Sequence, residues 1–321
     1  MTDVSGARGE DDRVRKLPVL AVLLALCLGF GFRQPALAGH PVRIGVSLLS
    51  FKNQFIWTIK EAMEAKAREL KCGLIVSDGQ DSAEKQVSQV ENFIARKVAV
   101  VILNPVSMDG CKPAVEAANT AGIPIVTVNT LVANQEKCAA FVGSDAVESG
   151  RLEMEYAARL LHGRGNLAIL HGQLGHDAQI GRRKGAQEVL NGYPNLKVIF
   201  EQSGNWSRVE GMAIMENWLE AGKPIQAVVS QNDEMALGAL KAIEAAGMAG
   251  QILVFGIDAI PGALKAMREG RMAGTVFQDA KGQGAGSVAA AVKIARGQAV
   301  EKRIYIPYRL VTGEDLNKYL R

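Results

Sequence analysis

Polar side chains that can hydrogen-bond a polyhydroxylated molecule recur after the short apolar runs of this chain. They are Ser50 to Asn53, Asn104, Asn129, His176-Asp177, Gln231-Asn232-Asp233, Asp258 and Gln278-Asp279. Asn, Asp, Gln and Arg side chains can each hold two hydroxyl groups, because every hydroxyl both donates and accepts. Asn and Asp also favour turns and helix caps, so one such residue alone would indicate little. The series as a whole favours a site for a sugar or a similar polyol.

Aromatic residues near two predicted helix starts fit the same chemistry. Phe55 and Trp206 stand where a side chain can project into a cleft and lie against the apolar C–H face of a sugar ring. Trp218 falls in an apolar stripe with Met215 and is expected in the core, whereas the sequence leaves Trp57 open.

Motifs of the common catalytic and metal sites are absent from the sequence. It contains no Gly-x-Ser-x-Gly elbow, no phosphate-binding P-loop, no His-Glu-x-x-His and no calcium-loop pattern. No Gly-x-Gly-x-x-Gly follows the first predicted strand, and only four histidines are present. We therefore expect a protein that is not an enzyme and that carries no metal and no cofactor.

The elements that must position the polar residues alternate regularly from residue 42 onward. Strands are predicted at 42–47, 74–77, 99–103, 124–128, 166–170, 198–201, 227–230 and 252–257. These runs are almost continuously apolar, as in parallel strands buried on both faces, and the stretches between them have the helical period. Repeated strand–helix units predict an α/β fold with doubly wound parallel sheets. The carboxyl ends of such strands are where this class of sheet binds its ligands.

The first 38 residues read as an export signal. Arg13, Arg15 and Lys16 precede an apolar run, and Ala36-Leu37-Ala38 fits a cleavage site. The run is too short to span a bilayer as a helix, and an uncleaved anchor is the alternative. We expect the mature chain to begin near Gly39 in the periplasm.

Length, charge and cysteine count narrow the class further. The 321 residues are enough for two lobes, and the net charge of +4 comes with no basic run interleaved with aromatics, so no nucleic-acid partner is expected. Removal of the signal leaves Cys72, Cys111 and Cys138, an odd number that requires a free thiol or an intermolecular bond. Small apolar fillers are the favoured role for these cysteines.

Three longer segments carry a resemblance to periplasmic sugar-binding proteins. The stretch from Ser230 to Leu240, SQNDEMALGAL, resembles the second-lobe motif of ribose-binding proteins. Phe255 to Pro261, FGIDAIP, and Ala273 to Ala280, AGTVFQDA, are similar to galactose/glucose-binding proteins. The resemblance covers the chain from about Pro41 to Tyr319. It implies two lobes that close on a ligand, the first at 40–143 plus 280–307 and the second at 144–279 plus 308–321, joined by a three-crossing hinge.

The same resemblance implies a set of ligand-binding residues. They are Asn53, Phe55, Asn104, Asn129, His176, Arg182, Trp206, Asn232, Asp258 and Gln278.

Departures from the family pattern bear on the ligand. Asn129-Thr130 stands where ribose binders have an Asp-Arg pair, which argues against ribose. The calcium loop of the hexose binders is missing before Asn166. A family Asp has no clear counterpart, because Asp177 lies one position early and Ala178 takes its place. A hexose-like monosaccharide is favoured, and an inositol-like cyclic polyol is the alternative.

The resemblance also implies partners. A monomeric periplasmic protein of this kind delivers its ligand to an ABC permease in the inner membrane. A ligand sensor that docks a chemoreceptor or a sensor kinase is a second possibility, which the sequence does not separate from the first. The ligand lobe of a repressor is disfavoured, since an export signal stands where a DNA-binding helix pair would be needed.

Overall fold

Two six-stranded sheets form the framework of residues 42–320, the part of the chain that the computed structural model describes. The first sheet contains β1 (Arg43–Leu48), β2 (Gly73–Asp78), β3 (Val100–Leu103), β4 (Ile125–Asn129), β5 (Ala140–Gly143) and β11 (Arg303–Tyr305), in the order β11-β5-β4-β3-β1-β2. The second contains β6 (Arg164–His171), β7 (Asn195–Ser203), β8 (Ala227–Ser230), β9 (Leu253–Asp258), β10 (Gly274–Phe277) and β12 (Arg309–Val311), in the order β12-β10-β9-β8-β6-β7.

Helices cover both sheets and divide the described residues into two α/β lobes. The first lobe has α1 (Gln54–Leu70), α2 (Ala83–Ala95), α3 (Lys112–Thr120) and α9 (Ala280–Ala295). The second has α4 (Ala146–Leu160), α5 (Asp177–Leu190), α6 (Arg208–Glu220), α7 (Asp233–Ala245) and α8 (Pro261–Arg268). The predicted α/β fold class is thus confirmed. Each of the eight predicted strands is present, with ends displaced by at most three residues.

The chain passes between the lobes three times. The first crossing is residues 144–145, between β5 and α4; the second is residues 278–279, between β10 and α9; the third is residues 306–308, between β11 and β12.

One strand departs from the predicted parallel arrangement. β12 runs antiparallel to β10, with Phe277 opposite Arg309 and Thr275 opposite Val311. The third crossing enters the second sheet beside the carboxyl end of β10. From there β12 runs back along β10 in the opposite direction. Such a pairing needs no long crossover connection.

The helices form where apolar residues recur at the helical spacing and capping residues stand at the ends of the same stretch. Ile59, Met63 and Ala67 of α1 are buried, Asn53 caps the N-terminus and Lys71 ends the helix in the left-handed conformation. Trp218 is buried in the core, as expected, and Trp57 is 42 % exposed.

The three cysteines of the described residues form no disulfide. Cys111 and Cys138 are buried, and burial raises the pKa of Cys138 to about 12. This agrees with their expected role as small apolar fillers.

Candidate functional site

A cavity lies between the carboxyl ends of the two sheets. The space between its lining side chains is about 350 Å³ when its open mouth is included. Its lining comes from both lobes: Leu49, Asn53, Phe55, Ile56 and Asn129 from the first, and His176, Ala178, Arg182, Trp206, Asn232, Asp258 and Gln278 from the second. Nine of the ten residues predicted to bind the ligand line this ligand cavity; Asn104 does not.

The wall from the first lobe is mainly apolar. Asn53 sits at the N-cap of α1, where its Oδ1 accepts hydrogen bonds from the main-chain N–H groups of Phe55 at 2.9 Å and Ile56 at 3.2 Å. The cap holds the first turn of α1 so that the ring of Phe55 faces the cavity. The side-chain amide nitrogen of Asn53 donates no hydrogen bond within residues 42–320.

The wall from the second lobe carries the charges. Arg182, on α5, has its Nη2 3.0 Å from Gln278 Oε1 and 3.8 Å from Asp258 Oδ1, and its Nη1 donates to the carbonyl of Gln231. Nη2 also lies 3.4 Å from the hydroxyl of Tyr308, in the third crossing. The guanidinium is therefore fixed by four groups from separate segments of the chain.

Asp258 combines a buried carboxylate with an unusual backbone. It ends β9 with φ of 129°, a region that residues other than glycine rarely adopt. Burial raises the pKa of this carboxyl well above its ordinary value, Arg182 opposes the rise and Asp233 adds to it. A ligand hydroxyl donated to the carboxylate would favour its charged form.

His176 presents a hydrogen-bond donor to the cavity. Its Nδ1 accepts from the main-chain N–H of Ala178 at 3.2 Å, so the ring proton resides on Nε2. Burial and the nearby Arg182 lower the pKa of His176 to about 3, which keeps the ring neutral. The Nε2 is buried without a partner among the described residues, as are Trp206 Nε1 and Arg182 Nε.

Trp206 is held by its surroundings rather than by its own backbone preference. It directly precedes Ser207, the N-cap of α6, and has a φ of 64°. Asn232 Nδ2 donates to the carbonyl of Trp206 at 3.2 Å, and the indole lies against Gly172 so closely that a Cβ there would overlap the ring. The guanidinium of Arg182 is 5.6 Å from the ring centroid and the His176 ring is 5.1 Å away.

Asn232 therefore has a second task besides facing the cavity. Its Oδ1 accepts from the N–H of Met235 at 3.0 Å and caps α7. From the sequence alone, helix capping and cavity lining are alternative roles for such residues, and Asn53, His176 and Asn232 do both.

Asn104 does not line the cavity as expected, because its side-chain amide is hydrogen-bonded to neighbouring loops. It is fully buried, accepts from Leu49 N–H at 3.2 Å and donates to the Val128 carbonyl at 3.2 Å and to Thr130 Oγ1 at 3.1 Å. These bonds hold together the chain segments that follow β1, β3 and β4. Asn104 thus shapes the wall without reaching the cavity.

The cavity also contains residues that sequence reasoning missed. Leu49, Ile56 and Ala178 line it, although apolar residues at a strand end or in a helix read as core. Tyr308 lies behind Arg182, and no motif surrounds it in the sequence.

Residues 42–320 contain neither a candidate metal site nor a candidate membrane span. No group of three or more His, Cys, Asp or Glu side chains there could hold a metal ion. In the same residues no helix has the length and apolar character needed to cross a membrane.

A model of the periplasmic binding protein domain matches residues 44–299. The chain belongs to the periplasmic binding protein family. The family recognised from the sequence motifs is thereby confirmed.

Several members of the family are similar over nearly their whole length. A protein of Rhizobium meliloti named for binding rhizopine is 39 % identical over 289 residues, which are 88 % of this chain and 94 % of that protein. The ribose import binding protein of Bacillus subtilis is 35 % identical, over 84 % of this chain and 87 % of the relative. An ABC transporter solute-binding protein of Bacillus halodurans C-125, solved with bound myo-inositol, is 44 % identical with a TM-score of 0.85, covering 88 % of this chain and 99 % of that one.

Proposed function

We propose that this binding protein captures a cyclic polyol or a monosaccharide between its lobes and delivers it to an ABC importer. The observation that carries the proposal is the ligand cavity, which combines two aromatic faces, unpartnered N–H donors and a buried carboxylate. The apolar C–H faces of a hydroxylated ring fit the two aromatic side chains. Its hydroxyl groups can accept hydrogen bonds from the N–H donors and donate to the carboxylate.

The polar balance of the cavity supports a neutral ligand with hydroxyls. Arg182 faces the carboxyl group of Asp258 at 3.8 Å, and His176 is neutral, so the wall offers an ionic ligand no charged group without a counterpart. The buried donors of His176, Trp206 and Arg182 each gain a partner when a hydroxyl oxygen arrives. Leaving such groups unpaired costs about 1–3 kcal/mol each, which a fitting ligand would recover.

The likeness to the myo-inositol complex supports a cyclic polyol as the first ligand to test. The monosaccharide alternative is supported by the likeness to the ribose import binding protein. Hexose-like sugars therefore stay in the panel beside inositol.

Transport, rather than turnover, is the proposed outcome of binding. The relatives named above are binding proteins of importers or of single solutes, which supports release of the ligand unchanged. Delivery to a permease requires export, and the predicted signal at 1–38 lies outside the described residues. We propose that the lobes, bounded as predicted at 143/144, 279/280 and 307/308, rotate about the three crossings to admit the ligand.

A ligand panel tests the proposed function. The mature protein is screened by thermal shift with myo-inositol, galactose, glucose, ribose and xylitol, and positive ligands are titrated by calorimetry. At least one ring polyol should raise the melting temperature and bind with one-to-one stoichiometry. Absence of binding by every sugar and polyol would refute the proposal, and mass analysis showing a chemically altered ligand would refute transport without turnover.

A further inference from the structure

A short segment of the second lobe is bonded to the first lobe on both sides of His176. The carbonyl of Gly175 accepts from the main-chain N–H of Met108 at 3.2 Å. Asp177 Oδ2 accepts from the main-chain N–H of Leu131 at 3.1 Å. Met108 follows β3 and Leu131 follows β4, both in the first lobe. We name residues 175–177 the pinned segment.

His176 is the residue of the pinned segment that needs an accurate position. Its Nε2–H is buried without a partner among the described residues, and its Nδ1 is occupied by Ala178 N–H. A hydrogen bond weakens steeply when its angle departs from linearity, so the donor serves a ligand only if the ring is held in place. The two bonds to the first lobe hold it from either side, and they can form only when the lobes are close.

Asp177 itself does not line the ligand cavity. The sequence left it without a role, one position before the place where the family has a ligand-binding Asp. In the structure it is the first residue of α5, and its side chain turns toward the first lobe.

We propose that Asp177 couples lobe closure to ligand affinity, because its hydrogen bond to Leu131 can form only when the lobes are closed. This inference rests on the proposed function, because it concerns the same cavity. A ligand reaches its full affinity only in the closed form, and its apparent dissociation constant is the closed-form value divided by the closed fraction.

The surroundings of Asp177 are consistent with a bond made inside a closing interface. Burial raises the pKa of its carboxyl, and the Leu131 N–H, Arg182 and Arg303 oppose the rise while Asp145 adds to it. The group is partly shielded from water, so a hydrogen bond to its charge is stronger than one on an open surface.

A closure bond and a ligand contact have different signatures. A residue that touches the ligand changes the order of preference among ligands, because each ligand offers it a different group. A residue that only stabilises the closed form multiplies every dissociation constant by one factor. For a charged hydrogen bond at this site we expect a factor of about ten.

Three variants make the test. Asp177→Ala removes the acceptor, and Asp177→Asn retains an amide oxygen that can accept the same N–H. Glu148→Ala is the matched control, since Glu148 lies in the first turn of α4 and pairs with Arg151 of the same helix. Calorimetry with the two or three tightest ligands of the panel, and stopped-flow release of each, are measured for all variants and the parent.

The expected result is a rise of about tenfold in every dissociation constant for Asp177→Ala, carried by faster release, with the order of ligands unchanged. Asp177→Asn should restore most of the affinity and Glu148→Ala should match the parent. Equal affinities of Asp177→Ala and the parent, or a changed order of ligands, would overturn the inference while leaving the proposed function intact. If Asp177→Ala fails to fold, a changed order of ligand preference in Asp177→Asn would overturn the inference instead. A parent protein that binds no member of the panel overturns both proposals together.

Discussion

The carboxylate of Asp258 lies buried at the end of β9, 3.8 Å from Arg182 Nη2. Asp258→Asn removes the charge and leaves the guanidinium without its counter-ion in a desolvated site. Loss of a buried charged partner costs about 1.5–3 kcal/mol, so ligand affinity should fall by roughly tenfold or more. Calorimetry on the tightest ligand measures it, with Asp109→Asn as the exposed control. An affinity within about twofold of the parent would show that Asp258 does not hold the ligand.

His176 should make the stability of the ligand-bound protein depend on pH. Its pKa in the folded protein is about 3, against an ordinary value of 6.5. Between these values the unfolded chain binds a proton that the folded protein does not. The contribution of the neutral ring to the free energy of unfolding is therefore fully present above about pH 6.5. It is lost by about 1.4 kcal/mol per pH unit as the pH falls toward 3.

His176→Asn isolates this contribution, because Asn also caps a helix but does not titrate. Three buried carboxyl groups with raised pKa values change the free energy of unfolding with pH in the opposite direction: Glu153, Asp233 and Asp258. All three are present in both proteins. Unfolding by urea at pH 7 and pH 5 with ligand in excess should show a smaller loss at pH 5 for His176→Asn. Equal losses in the two proteins would mean that His176 is protonated in the folded state.

Sequence reasoning found the polar residues of the cavity more readily than the apolar ones. Asn53 and Asp258 stood out because polar groups after buried strands need a reason, whereas Arg182 was indicated only by the family resemblance. Leu49 and Ile56 gave no such signal, since an apolar side chain in a cavity wall has the same sequence context as one in the core. The loop-bonding role of Asn104 depends on three segments far apart in sequence, and no local pattern encodes their meeting.

At the scale of elements, α4 and α5 approach each other at two glycines. A Cβ on Gly150 would overlap the carbonyl of Arg182, and one on Gly185 would overlap the carbonyl of Val147. The close crossing sets the height of α5 above the sheet, and with it the position of the Arg182 side chain. Glycine is needed here for space rather than for backbone freedom.

Gly150→Ala should push the two helices apart. The strain of a buried methyl with no room costs about 1–3 kcal/mol of the free energy of unfolding, and displacement of Arg182 should weaken ligand binding as well. Thermal melting and calorimetry measure the two effects, and Glu155→Ala, on the exposed side of α4, is the control. A variant as stable as the control would show that the helices can shift freely.

The sequence did not reveal β5, β10, β11 and β12, which have three or four residues each. The equally short β3 and β8 were found from their apolar runs. β11 and β12 have three residues each and lie at sheet edges, so neither has a long apolar run to detect. β5 and β10 have four residues, and their positions follow from the neighbours with which they pair. Long buried strands such as β1 were found because their whole pattern is local.

For the whole molecule, ligand binding should be visible as both stabilisation and compaction. Ligand at about a hundred times its dissociation constant adds about 2.7 kcal/mol to the free energy of unfolding. The interlobe bonds of Gly175 and Asp177 form on closure, so the radius of gyration should fall when ligand is added. Small-angle scattering and thermal melting on one sample give both quantities. Stabilisation with no change of radius would mean that the lobes are already closed without ligand.

The second passage of the chain between the lobes has a consequence for the order in which the protein can fold. α9 packs against α1 and against β3, β4 and β5, and Gln283 pairs with Asn129, 154 positions earlier. Until residues 280–295 have left the ribosome, the first lobe lacks a helix of its core and cannot complete it. Contacts of such sequence separation also slow folding once the chain is whole. A nascent chain that ends before Ala280 should thus remain sensitive to protease. Its first lobe becomes rigid only when the last eighth of the protein emerges.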